Sequence, residues 1–204
     1  MLNEKRVLLP LLFIAFIVVV GSFSYNFYWI IFSDGSCETK TRFANDLGGE
    51  IHLLDQNNRR VKLSTQQADI SLIYFGYSFC PDICPYDLER NAYAKDIMDK
   101  LGKKINLVFV TLDPKRDTSE RLKEFSEYIH EDLISLTGSE EEIEKIKDLY
   151  KVYGKSNKKD LADNTYLLDH STYTYLTDRN GKVLTFFNRR ATPETISEKM
   201  LCFL

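Results

Sequence analysis

Ile70-Ser71-Leu72-Ile73-Tyr74-Phe75-Gly76-Tyr77-Ser78-Phe79-Cys80-Pro81-Asp82-Ile83-Cys84-Pro85 decides how this chain is read. The first seven residues are apolar, β-branched or aromatic almost throughout, the pattern of a strand buried on both faces. Two cysteines follow with three residues between them, and Pro85 suits a first helical position, predicting a helix over 85–100. Thiols at i and i+4 at the mouth of a strand either close into a disulfide or hold one soft metal ion. A helix N-terminus beside them favours thiolate over thiol, and thiolate is both the nucleophilic and the metal-binding form. A stiff loop flanked by Pro81 and Pro85 argues against two cysteines that merely fill a core.

The flanking sequence supplies the rest of an α/β domain. Before the cysteine segment, 50–54 and 60–63 read as a hairpin through Asp55-Gln56-Asn57-Asn58. After it, 105–112 reads as a second buried strand. Asp117 with Glu120 predicts a helix start, with Leu122, Phe125 and Ile129 on one face. A short strand at 133–136 leads to Ser139 and Glu142, a capping box. The helix it opens carries Ile143, Ile146, Tyr150 and Tyr153 and is expected to stop at Gly154. A polar loop over 155–164 precedes a hairpin of 172–176 and 183–187, joined through Asp178-Arg179-Asn180-Gly181, and Thr192-Pro193-Glu194 opens a final helix. This order predicts a mixed central sheet with helices on both faces. A redox-type cysteine pair between a strand and a helix of a βαβ unit points to the thioredoxin-like fold.

The N-terminus is different in kind. From Val7 to Ser33 no residue is charged, a length sufficient to span a hydrocarbon core. A cleaved signal peptide ending near Ser22-Phe23-Ser24 would leave the exposed run Tyr25-Asn26-Phe27-Tyr28-Trp29. An uncleaved anchor uses those aromatics as an interfacial belt, and Lys5 and Arg6 keep the N-terminus cytoplasmic. The expected organisation is a cytoplasmic stub and single-pass anchor at 1–33, a tether at 34–45 and a folded domain at 46–204. The simplest address is a bacterial inner membrane with the domain in the periplasm. In an oxidising compartment a metal-binding cysteine pair needs a reductant. The net charge of −3, with its basic residues dispersed, argues against a nucleic-acid surface.

Two thiolates leave a metal under-coordinated. Of the three histidines, His52 and His130 read as surface residues, whereas His170 stands where a polar loop meets a strand and is the candidate third ligand. A closed structural zinc site wants four ligands, while Cys and His at three positions suit copper in either oxidation state. Met1, Met98 and Met200 are too scattered for a methionine copper site. Asp82 and Asp113 are acids expected near the centre, Cys37 reads as a tether thiol and Cys202 as a helix-face hydrophobe. A Cys37–Cys202 disulfide is an open alternative.

Phe75-Gly76-Tyr77-Ser78-Phe79-Cys80-Pro81-Asp82-Ile83-Cys84-Pro85 resembles the signature of the Sco/SenC family of copper-binding assembly factors for cytochrome c oxidase. Leu112-Asp113-Pro114-Lys115-Arg116-Asp117-Thr118 resembles that family's second motif and Asp169-His170-Ser171 its histidine motif. One departure is Phe79, where the family often has histidine; the position concerns a secondary ligand, not a primary one. The resemblance, from about Gly48 onward, implies a membrane-anchored copper metallochaperone. Cys80, Cys84 and His170 are then the ligands of Cu(I) or Cu(II), and the metal passes to the dinuclear CuA centre of an oxidase subunit. An upstream copper donor and a thiol reductant are the other partners implied. The alternative is a thiol–disulfide oxidoreductase that keeps the oxidase cysteines reduced. A peroxide-reducing thiol enzyme is a weaker third.

Overall fold

The computed structural model describes residues 16–22, 47–157 and 165–204. Residues 16–22 are helical and exposed; the rest of the expected anchor, and the tether with Cys37, lie outside the described residues. Among the described residues no helix is long and apolar enough to cross a membrane.

Two strands at the centre organise the domain, β3 (Ile70–Gly76) and β4 (Asn106–Thr111), running parallel with Tyr74 beside Phe109. Their near-continuous apolar sequence is explained by burial on both faces. Alternate residues Leu72, Tyr74, Leu107 and Phe109 enter one core, and Ile73, Phe75, Val108 and Val110 enter the other. A third parallel strand, β5 (Leu133–Thr137), pairs with β4. Beyond it lies the antiparallel hairpin of β1 (His52–Asp55) and β2 (Arg60–Lys62). On the other side β8 (Thr174–Asp178) and β9 (Val183–Phe187) continue antiparallel from β3, giving a seven-stranded order β2-β1-β5-β4-β3-β8-β9. The remaining strands, β6 (Gly154–Ser156) and β7 (Leu168–His170), form a separate two-stranded ribbon. The residues between them, 158–164, lie outside the described set.

Helices cover both faces. α1 (Ile83–Lys100), α2 (Ser119–Ile129) and α4 (Pro193–Leu201) bury Leu88, Met98, Leu122, Phe125, Ile196 and Met200 in the first core. α3 (Glu140–Tyr150) buries Ile143, Ile146 and Tyr150 in the second. The mixed sheet between helical layers is the thioredoxin-like architecture expected.

Several local expectations are corrected. α1 starts at Ile83, which puts Pro85 at the third helical position, where its missing N–H is still one with no intrahelical partner. α2 is capped by Thr118, whose side chain accepts from Arg121 N, and not by Asp117. The capping box of Ser139 and Glu142 forms as expected, but α3 ends on Lys151 in a left-handed conformation (φ 52°), and Gly154 belongs to β6. Tyr153 is therefore outside the helix and exposed. Cys202 is the C-cap residue of α4, and Cys37, considered above as its disulfide partner, lies outside the described residues.

Leu72 is fully buried at the centre of this sheet. Leu72→Ala is expected to lower unfolding free energy by about 2–5 kcal/mol, the range for a core leucine replaced without collapse of the cavity. Equilibrium denaturation measures it; a loss within error of zero contradicts the packing described.

Candidate metal centre

The centre is built past the carboxyl end of β3, where the chain turns through 77–82 into α1. Cys80 N donates to Tyr77 O at 3.2 Å, closing the turn. Asp82 occupies the N-cap of α1 but makes no side-chain cap bond. Its task falls to the Cys80 sulfur, which accepts from Cys84 N at 3.4 Å and from the Asp82 N–H. The first turn of α1 thus spends its unpaired donors on a sulfur, the arrangement that stabilises negative charge.

Cys84, in that first turn, points back at the end of β3. A Cβ on Gly76 would come within 2.7 Å of the Cys84 sulfur, so glycine is required there by contact, not by backbone angle. Cys84 is fully buried and Cys80 retains 8% exposure, so Cys80 is the sulfur nearer solvent.

His170 arrives from β7. Its Nε2 lies 3.4 Å from Cys84 Sγ, and its Nδ1 lies 2.8 Å from Ser171 O. A carbonyl only accepts, so Nδ1 carries the proton and Nε2 presents its lone pair to the cysteines. Gly154 pairs with His170 across the ribbon, Ser171 N donates to Tyr153 O and Tyr153 N donates to Ser171 Oγ, both at 3.0 Å. The imidazole stands edge-to-face against Tyr74 and Tyr77. The donor atoms of Cys80, Cys84 and His170 all lie within 4.8 Å of one another, so the three residues singled out in the sequence converge.

Both site cysteines are free thiols, and their environments pull them apart. The hydrogen bond from the Cys84 thiol, with further ones from the N–H groups of Cys84 and Asp82, outweighs burial and lowers Cys80 to about 3. Cys84 is pushed far upward because it donates to Cys80, is buried and faces Cys80's charge. The pair therefore holds one proton, on the inner sulfur, with the outer one a thiolate.

Asp113 and Asp117 support the loop. Neither carboxylate joins the three donors. Asp117 is fully buried: Oδ1 accepts from Ser78 Oγ at 2.6 Å, and Oδ2 from Ser78 N at 3.0 Å and Thr111 Oγ1 at 2.6 Å. Its backbone carbonyl takes Thr137 Oγ1 at 2.8 Å. Burial raises its pKa above the usual carboxylate range against those donors. Asp117 thus bolts the cysteine loop to the ends of β4 and β5. Asp113 accepts from Arg116 and, at 2.8 Å, from Tyr166 Oη. The Arg116 guanidinium lies 3.6 Å from the Tyr166 ring centre and 4.8 Å from that of Phe79. Phe79, with Arg121 also 5.0 Å from its ring, is a stacking residue and brings no donor to the metal site. Asp82 is exposed at the helix start. His52 is exposed, and His130 ends α2 facing Asp96, both away from the centre. Asp117 is the residue whose role sequence reading missed; the adjacent Thr118, an equally good cap, was the available sign that it was free for other work.

Two outcomes follow. Alkylation of the reduced protein at Cys80 is expected to be nearly flat between pH 5 and 8. A free thiol near its usual acidity constant accelerates about tenfold per pH unit there. Peptide mapping of the first adduct checks it, and a tenfold-per-unit slope contradicts the thiolate. Gly76→Ala should displace the Cys84 sulfur and shift the His170 ring resonances; unchanged resonances contradict the contact.

The chain was compared with known proteins. Residues 39–204 match the family model described as SCO1/SenC. A SCO2-like protein of Rickettsia felis is 41% identical over 152 residues, 74% of each chain. Protein SenC of Rhodobacter capsulatus is 37% identical over 170 residues, 83% of this chain and 76% of that one. The structure of ScoI from Bradyrhizobium japonicum, solved with copper bound, superimposes with a TM-score of 0.69 at 34% identity, covering 78% of this chain and 99% of that one. With a match of that extent behind the cysteine loop, the Asp113–Asp117 segment and His170, the chain belongs to the SCO1/SenC family.

Proposed function

We propose that this protein takes up copper through Cys80, Cys84 and His170 and delivers it to the CuA centre during cytochrome c oxidase assembly. The observation that carries the reading is the convergence of two sulfurs and one unprotonated imidazole nitrogen within 4.8 Å, in a family where ScoI of Bradyrhizobium japonicum has copper bound. The donors fit the cargo. Thiolate selects soft Cu(I), imidazole suits both oxidation states, and three donors leave a position open to an incoming ligand. The outer sulfur is already ionised, so capture displaces only the proton on Cys84. Cys80 at the mouth is the first donor an acceptor's ligand meets, and stepwise exchange there lets the ion leave without a fully uncoordinated intermediate.

The same reading places an anchor within 1–33, a tether at 34–45 and the domain on the outer face of a bacterial inner membrane. Charge-free residues from Val7 to Ser33 behind Lys5 and Arg6 support it. The partners are then the copper-bearing oxidase subunit, an upstream copper donor and a reductant that keeps the pair open.

The polarised pair also supports a second reading, thiol–disulfide exchange. The Cys80 thiolate attacks one sulfur of a partner disulfide and expels the other as thiolate. Cys84, losing its proton, then attacks the Cys80 sulfur, releases the second partner thiol and leaves a Cys80–Cys84 disulfide. A cellular dithiol reductant must reopen it.

Metal analysis of the reduced domain separates the two. One copper per chain is expected, lost on Cys80→Ser or Cys84→Ser. His170→Ala should retain weaker Cu(I) and lose the Cu(II) spectrum. Copper content unaffected by either cysteine change ends the delivery reading, and turnover on a disulfide substrate without copper binding establishes the second.

A further inference from the structure

The carboxylate of Asp87 takes no part in the donor set, yet everything around it leads back there. It lies on α1 three residues after Cys84 and is fully buried. Its Oδ2 accepts from the Tyr74 hydroxyl at 3.1 Å and lies 3.4 Å from Arg189 Nε. Its Oδ1 stands 3.6 Å from Arg90 Nη1 and accepts no hydrogen bond. A buried carboxylate with one oxygen unbonded is an expensive group for the fold to keep. Arg90 does not depend on it, being bonded to Asn188 O at 3.2 Å and Thr174 Oγ1 at 2.8 Å. Tyr74 does: among the described residues its hydroxyl donates to no other oxygen or nitrogen.

Tyr74 is fully buried on β3 and faces two of the three donors. Its hydroxyl lies near enough to the Cys84 sulfur to bear on that thiol's acidity. Its ring centre lies 6.3 Å from that of His170 with the planes 86° apart, and Tyr77 meets the same imidazole at 5.8 Å and 89°. The bond from Nδ1 to Ser171 O sets which nitrogen faces the sulfurs, and the two tyrosine rings limit how the imidazole tilts. Tyr74 is also, with Cys84, what a Cβ on Gly76 would strike, at 3.1 Å. One phenol therefore lies beside a sulfur donor and the imidazole donor, and among the described residues Asp87 is the one oxygen or nitrogen acceptor of its hydroxyl.

We propose that Asp87, acting through Tyr74, is a positioning residue of the copper site, holding the Cys84 sulfur and the His170 imidazole in the geometry that Cu(II) requires. The inference rests on the copper reading above. Cu(I) is satisfied by two sulfurs in many arrangements, whereas Cu(II) prefers a tetragonal set and needs the imidazole in place. The dyad therefore bears on the oxidised form and hardly on the reduced one.

Tyr74→Phe tests it, because removing one oxygen keeps the ring and the core. The variant should still bind one Cu(I) per chain. Its Cu(II) affinity, measured by competition with a chelator, should fall about tenfold, as when a metal ligand loses its supporting hydrogen bond. The sulfur-to-copper absorption bands and Cu(II) hyperfine splitting should shift with it. Asp87→Asn, which keeps an acceptor for the hydroxyl, should fall between wild type and Tyr74→Phe. In the Tyr74→Phe background it should have no further effect. A Tyr74→Phe protein with native Cu(II) spectrum and affinity overturns the inference, as does an Asp87→Asn effect that adds to it. Wild-type protein that binds no copper defeats instead the reading on which the inference stands. Should Asp87→Asn fail to fold, the Tyr74→Phe comparison decides by itself.

Discussion

The absence of one carbon atom holds the centre together. β3 ends on Gly76, and the Cys84 sulfur sits where any other residue would carry its Cβ. Because β3 is flanked by β4 and β8, its position is set by ladders on both sides and cannot yield. The N-terminus of α1 must therefore come to the strand at one height and one angle. That approach delivers Cys84 to the buried side, leaves Cys80 at the mouth, and aims the first N–H groups of α1 at the Cys80 sulfur. The polarisation of the pair follows first from the Cys84 thiol bonded to the Cys80 sulfur, with the first N–H groups of α1 adding to it.

Much of this was legible in the sequence. The strands at 70–76 and 106–111 announced themselves by continuous apolar character, since burial on both faces leaves no polar alternation to misread. The three side chains that converge were legible because thiols and imidazoles are scarce here, and two of the three histidines lay in ordinary surface patterns. What stayed hidden was whatever depends on contacts between distant segments. The ribbon of β6 and β7, which carries His170, has three-residue strands with mixed polarity, too short for periodicity to mark. Asp117 looked like a helix cap because its neighbour Thr118 and the true box of Ser139 share the same local chemistry. Only the fold shows that its carboxylate is needed 39 residues upstream, at Ser78.

The Phe79 position illustrates how a motif can change one residue and keep its architecture. Where a family member with histidine has a further nitrogen beside the first cysteine, this chain has a ring stacked over Arg116 and near Arg121. Arg116 is in turn fixed by Asp113 and by the backbone of Tyr166. The second motif thus serves the first: Asp117 anchors the loop through Ser78, and Asp113 anchors it through Arg116 and the face of Phe79. The consequence is a cysteine loop held from one side by apolar stacking and from the other by buried hydrogen bonds.

On the delivery reading proposed above, the centre has opposite demands on its two sides, and the fold separates them. The inner side, with Cys84, Tyr74 and Asp87, is fully buried and leaves no room for rearrangement. The outer side has Cys80, which keeps 8% exposure, and His170, half-buried on a two-stranded ribbon. If the protein delivers copper as proposed, an incoming ligand meets Cys80 before the buried Cys84. That arrangement, Cys80 outside and Cys84 inside, is a property of where α1 crosses β3, and it would survive most surface substitutions while failing on a single methyl group at Gly76.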